Sequence, residues 1–205
     1  MHPAPAFRET DESVLRQRVA ERGFGLVIGV AAARPVAAHA AMLLEERTLR
    51  FHLSAANPLT EVLEAGGAAL AVVSGPDAYI SPDWYGQPDQ VPTWNYLSVE
   101  MEGPVRPVGD EEAIRLLDDL SAHFEGKLLP KPPWTRGKMT PARFEALLRG
   151  IRSFEMRLER FEGITKLGQN KPPEVVARTA EALAQIDDAD AREIGRLMRE
   201  PRPRS

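Results

Sequence analysis

The sequence predicts a mainly β protein with flanking helices (α+β), built around an antiparallel barrel. The apolar segments from Phe24 onward are short and strand-like. Candidate helices sit at the ends and between groups of strands, without the regular strand–helix alternation of a doubly wound sheet. The 205-residue length suits one domain with an appendage, expected as a barrel domain over 1–170 and a helical extension over 171–205.

In chain order, Asp11 to Arg22 is predicted as a helix, with Thr10 as N-cap and Gly23 as its stop. FGLVIGV and PVAAHAAMLL are apolar runs that form a hairpin. In the next strand Leu49, Phe51 and Leu53 share one face and Thr48, Arg50 and His52 the other. Asn57-Pro58 opens a short helix, Gly66-Gly67 closes it, and AALAVVS is a buried strand. Gly75 to Pro92 reads as a long ordered loop, followed by a strand with Leu97, Val99 and Met101 on one face. Asp110 is expected to cap a helix with the stripe Ala113, Leu117, Leu120 and Phe124, and Thr140-Pro141 starts another that ends at Gly150. Ile151 to Phe161 is the sharpest strand pattern, with Phe154, Met156 and Leu158 against Glu155, Arg157 and Glu159. After Pro172-Pro173 the tail reads as helical through Met198, with a stripe of Val176, Thr179, Ala180 and Leu183.

Composition narrows the chemistry. There is no cysteine, which excludes disulfides, thiol catalysis and thiolate metal sites and fits a reducing compartment. The net charge is −4, so no chain-wide basic surface is offered to nucleic acid. The densest arginine cluster, Arg192 to Arg204, lies at the C-terminus, and no helix-turn-helix pattern accompanies it, so the chain by itself is not expected to read DNA sequence. No apolar run is long enough to cross a bilayer as a helix, and the first residues lack the basic-then-apolar order of a secretory signal. A cytoplasmic location, with no membrane association, is the default expectation.

The segments that could carry chemistry come in groups. The junction from His52 to Pro58 places Ser54 and Asn57 where a helix begins and backbone N–H groups are free, which suits a phosphate; simple capping is the plainer reading. The stretch from Ala78 to Asn95, with Tyr96 directly after it, concentrates Tyr79, Trp84, Tyr85, Trp94 and Tyr96 beside Thr93 and Asn95, in a chain with only 6% aromatic residues. Such a mixture suits a flat heterocycle, although the same aromatics could simply pin their own loop. Gly163 to Asn170 supplies Lys166, Gln169 and Asn170, or else only a turn into the next helix. His39 and His52 on candidate strands make a weak metal pair and are read as structural. The sequence has no phosphate-binding glycine motif and no nucleophile elbow.

Taken together, GPDAYISPDWY, VPTWNY and FEGITKLGQNKP, with FRETDESVLRQRVAERGFG and HLSAANPL, resemble the PaiB family of FMN-binding proteins, which carries the label of negative transcriptional regulators. The resemblance runs from about Phe7 to Pro172. It implies a flavoprotein fold, the six-stranded antiparallel split barrel, assembled as a homodimer with FMN at the interface. By this resemblance Ser54 and Asn57 lie at the phosphate, and Thr93, Trp94, Asn95, Lys166, Gln169 and Asn170 line the flavin. Ala55 stands where relatives often have arginine, and Gly168 where serine is common. A flavin-binding regulator is one reading of function; a flavin-dependent oxidoreductase using a nicotinamide donor and a cofactor-free interaction module are others. No catalytic residue is identified.

Overall fold

The structure, a computed structural model, describes residues 2–200. Its strands are β1 (Arg8–Glu9), β2 (Phe24–Ala31), β3 (Arg34–Glu45), β4 (Thr48–Ser54), β5 (Gly67–Ile80), β6 (Thr93–Pro107), β7 (Ile151–Arg157) and β8 (Arg160–Lys166). Its helices are α1 (Glu12–Arg22), α2 (Pro58–Glu64), α3 (Asp110–Gly126), α4 (Pro141–Leu148), α5 (Pro173–Ala184) and α6 (Ala189–Met198). The chain divides into two compact units: Met1–Leu15, Ser74–Val99 and Glu162–Ser205 form the first, Arg16–Val73 and Glu100–Phe161 the second.

The second unit contains β2, β3, β4 and β7 whole and parts of β5 and β6. In the sheet as a whole the strands run in the order β5, β2, β3, β4, β7, β6, and β6 is also a neighbour of β5, so six strands close on themselves. The whole sheet counts eight strands rather than the expected six, because β8 and the two-residue β1 extend it beyond β6. Alternation explains the core. Leu49 pairs with Met156 and Phe51 with Phe154, all four are fully buried, and the two phenyl rings stack at 5.6 Å. The β2–β3 hairpin turns at Ala32-Ala33, both with positive φ, the handedness that matches strand twist.

Several local expectations are corrected. Asp11, not Thr10, caps α1, because its Oδ1 accepts the Ser13 backbone N–H at 2.8 Å. Gly23 ends that helix with φ +54°, and the Lys127 ammonium donates to the last carbonyls, Ala20 and Glu21. Gly109 is the N-cap of α3, and its buried face is Ala113, Leu116 and Leu120, not Leu117 and Phe124. The tail is two helices, and α5 buries Val175 ahead of Val176. The predicted loop shrinks to 81–92, since β5 continues through Ile80 and Thr93–Asn95 already belong to β6. The predicted strand Ile151–Phe161 breaks at Leu158-Glu159, and Gly163–Lys166 lie in β8 rather than in a loop. Residues Arg202 and Arg204 of the arginine cluster lie outside the described residues.

In the first unit β8 pairs with β1 and lies beside β6. A core of Ile80, Tyr85, Leu97, Leu167, Val175, Leu183 and Ile194 joins its strands to α5 and α6. The two helices approach closely at Gly195, where a Cβ would stand 3.0 Å from the Ala180 carbonyl oxygen.

The break between β7 and β8 has a specific cause. A Cβ on Gly103 of β6 would lie 1.8 Å from the Arg157 carbonyl oxygen, so backbone packs directly on backbone there. The Glu159 N–H then bonds to the Glu102 carbonyl at 2.9 Å, and the Leu158 N–H to that of Arg47 at 2.8 Å. Gly103→Ala is expected to destabilise the protein by about 3 kcal/mol through backbone displacement. Chemical denaturation measures it, and an unchanged midpoint would refute the assignment.

Candidate functional site

In the second unit, β4 ends at Ser54 and α2 starts at Pro58. Asn57 caps α2 through Oδ1, which accepts the Leu59 N–H at 2.9 Å. Ser54 Oγ accepts the Ala56 N–H at 3.3 Å, and the Thr60 hydroxyl donates to the Ser54 carbonyl at 2.7 Å. The capping reading is therefore realised. What remains free for a ligand is the Ser54 O–H, on an exposed residue, and the Asn57 amide N–H₂ group. Arg152, opposite Leu53 in the strand register, is held by Glu64 at 2.9 Å.

The first unit gathers the other predicted residues. Alternation along β6 turns Trp94 outward, 53% exposed, and buries Asn95 on the opposite face. Trp94 meets Tyr79 of β5 edge-on at 6.1 Å, and Tyr79 is itself 48% exposed. Burying this aromatic pair under a flat ligand would remove substantial apolar area from water. Lys166, at the end of β8, donates to Thr93 Oγ1 at 2.7 Å and lies 5.7 Å from the Phe7 ring centre. Burial holds its pKa below the usual lysine value. Among the described residues it has no carboxylate partner, so its remaining N–H donors can meet an electron-rich acceptor.

The other predicted residues have internal partners. Asn95 Nδ2 donates to Met198 Sδ at 3.5 Å. Gln169 spans the turn after β8: its Oε1 accepts the Leu167 N–H at 2.8 Å, while Nε2 donates to the carbonyls of Ala6 and Thr165. Gly168 in that turn has φ +74°, which favours glycine at this position. Asn170 is exposed just beyond. Sequence reasoning did not find Phe7 beneath Lys166, Met198 against Asn95, or the Lys171–Gln90 hydrogen bond. These partners are distant in sequence and no local pattern joins them.

His39 is exposed on β3 and stacks on Phe24. His52 lies across from Ser153, and among the described residues its buried Nδ1 has no partner, nor has Ser153 Oγ. Among the described residues no cluster of three metal-ligating side chains exists. No described helix is long and apolar enough to cross a membrane. Arginines of α6 are ion-paired, Arg192 with Asp187 and Arg196 with Glu193 and Glu200.

Comparison with known proteins gives a consistent picture. A family model described as "Putative FMN-binding domain" matches residues 1–160. Protease synthase and sporulation protein PAI 2 of Bacillus subtilis (strain 168) is 28% identical over 200 residues, covering 94% of this chain and 93% of that protein. Among solved structures, the FAD and Heme binding protein from Mycobacterium smegmatis aligns with a TM-score of 0.59 at 18% identity, over 83% of this chain and 78% of that one. The flavocytochrome Anf3 from Azotobacter vinelandii aligns with a TM-score of 0.59 at 13% identity, over 81% of this chain and 72% of that one. At such identities the structural likeness speaks for the fold.

The histidine at position 52 sets a measurable pH response. Burial pushes its pKa below the ordinary 6.5, so the folded state keeps it neutral where the unfolded chain takes a proton. Stability contributed by the neutral form is retained above 6.5 and declines as pH falls from 6.5 toward the lower folded pKa. Denaturation at a series of pH values should show this acid-side loss, and His52→Gln should flatten it. An identical slope in the variant would assign the loss to other groups.

Proposed function

The chain belongs to the FMN-binding domain family, with a PaiB-type protein among its relatives, and on that premise we propose which of its residues hold the flavin. The observation that carries the proposal is the outward pair Trp94 and Tyr79 on the same unit as Lys166, an ammonium with a hydroxyl and, among the described residues, no carboxylate beside it. The isoalloxazine ring lies against Trp94, and Lys166 donates to an acceptor atom of the ring, held in place by Thr93. Gln169 positions the Lys166 turn through its bonds to Thr165 and Leu167. Asn95 fixes β6 from behind, and Asn170 remains available to solvent-side ligand atoms. The phosphate is assigned to the Ser54 hydroxyl and the Asn57 amide. Ala55 adds no charge there, so the grip rests on neutral donors.

When bound, FMN supplies one- and two-electron redox chemistry. The residues around it bind and orient, and none is assigned a proton transfer. The role proposed is that of a cytoplasmic flavin-binding regulator, in line with the relative's place among PaiB-type proteins, and it requires no DNA contact by this chain. Titration of the purified protein with FMN should give saturable quenching of flavin fluorescence. Trp94→Ala should weaken binding about tenfold, the scale of one lost aromatic contact. No saturable change at high micromolar FMN would end the proposal.

The assembly proposed is a homodimer. A closed barrel of six strands is filled by side chains, here Phe51, Phe154 and Met156, and leaves no interior room for a ring system. A ligand on the outer surface of one copy is covered on one side only, whereas well-formed sites bury most of the ligand. A twofold partner supplies the second wall at both sites. Light scattering of the FMN-loaded protein at micromolar concentration should give twice the chain mass. The mass of a single chain would rule the dimer out.

A further inference from the structure

A cavity of about 200 Å³ opens in the second unit between α3, α4 and the start of β7, and the flavin reading makes no use of it. Its walls include Leu117, Phe144, Leu148 and Ile151, with the half-exposed Trp134 and Leu147 at its edge. Dry cavities of roughly 150 Å³ lined by such side chains hold benzene, while drug-sized ligands need roughly 300 Å³ or more. The volume therefore suits one six-membered ring with a small substituent.

The polar lining selects the substituent. Arg136 donates from Nε to Asp118 Oδ1 at 3.0 Å and from Nη2 to Oδ2 at 2.9 Å, and its guanidinium lies 4.9 Å from the Phe144 ring centre. Among the described residues its Nη1 has no acceptor, while the Asp118 carboxylate keeps lone pairs beyond the two it uses. Ser121, also in the lining, is occupied by its bond to the Leu117 carbonyl at 2.7 Å. The pair thus offers free donors and free acceptors side by side within a single neutralised unit. A carboxylate on the ligand would meet Asp118, and an ammonium would meet Arg136. A neutral group that both accepts and donates, a carboxamide, satisfies both.

We propose that this cavity is a binding site for a small aromatic carboxamide, its ring among Leu117, Phe144 and Ile151 and its amide on the Arg136–Asp118 pair.

The probe is benzamide, followed by ligand-observed magnetic resonance on the full chain, with benzoate and toluene as comparators. Benzamide should bind saturably and at least tenfold more tightly than benzoate. Arg136→Met should weaken benzamide about tenfold and leave toluene unchanged. Leu147→Trp, at an exposed position of α4 that narrows the opening, should weaken both. A melting curve for each variant verifies the fold, and the Leu147 variant stands if the Arg136 variant fails to fold. Addition of saturating FMN should leave the benzamide signal in place. Displacement by FMN, equal affinity for benzamide and benzoate, or absence of saturation would each overturn the site.

Discussion

The close contact of β6 with the β7–β8 crossing is the constraint on which the barrel depends. Val105, Arg106 and Pro107 of β6 pair with Met156, Glu155 and Phe154, and that ladder closes the ring of strands. Only a residue without a side chain lets the two backbones come together at Gly103. Closure there leaves the six barrel strands without a free edge and brings Phe154 and Met156 inward onto Phe51 and Leu49. The salt bridges of Arg160 with Glu100 and Glu102 flank the same crossing on partly exposed side chains, where they contribute little beyond register.

Much of the barrel was legible because alternation with period two survives translation into structure. Leu49, Phe51 and Leu53 are buried and their neighbours are not, as the sequence predicts. The failures have physical causes that local pattern cannot contain. Gly75-Pro76 reads as loop punctuation, yet Gly75 lies within β5 because a Cβ there would sit 2.8 Å from the Leu97 Cβ. The alternation through Leu158 and Glu159 is unbroken, and the interruption is imposed by Gly103 from a distant part of the chain. On α3 the expected stripe takes Leu117, yet its neighbour Leu116 lies on a helical face with Ala113 and Leu120 as well, and that is the face the fold buries.

The candidate site was legible as segments and not as roles. Ser54, Asn57, Trp94 and Lys166 were singled out by residue type and position, and the family resemblance added Thr93, Asn95, Gln169 and Asn170. The structure separates them by what they already bond. Gln169 and Asn95 have internal partners, Asn57 spends its oxygen on a cap, and Trp94 and Lys166 keep unspent surface and donors. Residue type shows that a side chain is able to bind, whereas prior commitments decide whether it is free to. Those commitments run through partners such as Met198 and Ala6, far away in sequence.

The pairing of β1 with β8 has a consequence for the order of synthesis. Arg8 lies opposite Ile164, and Glu9 opposite Gly163, so β1 finds its sheet partner only in β8, the last strand. The second unit is fully translated once Phe161 has been added, whereas the first unit still awaits α5 and α6. Synthesis in chain order thus completes the six barrel strands before α5 and α6 of the first unit. The pairing of β1 with β8 is therefore a highly non-local contact, whose chain-closure cost is met only after the intervening strands exist.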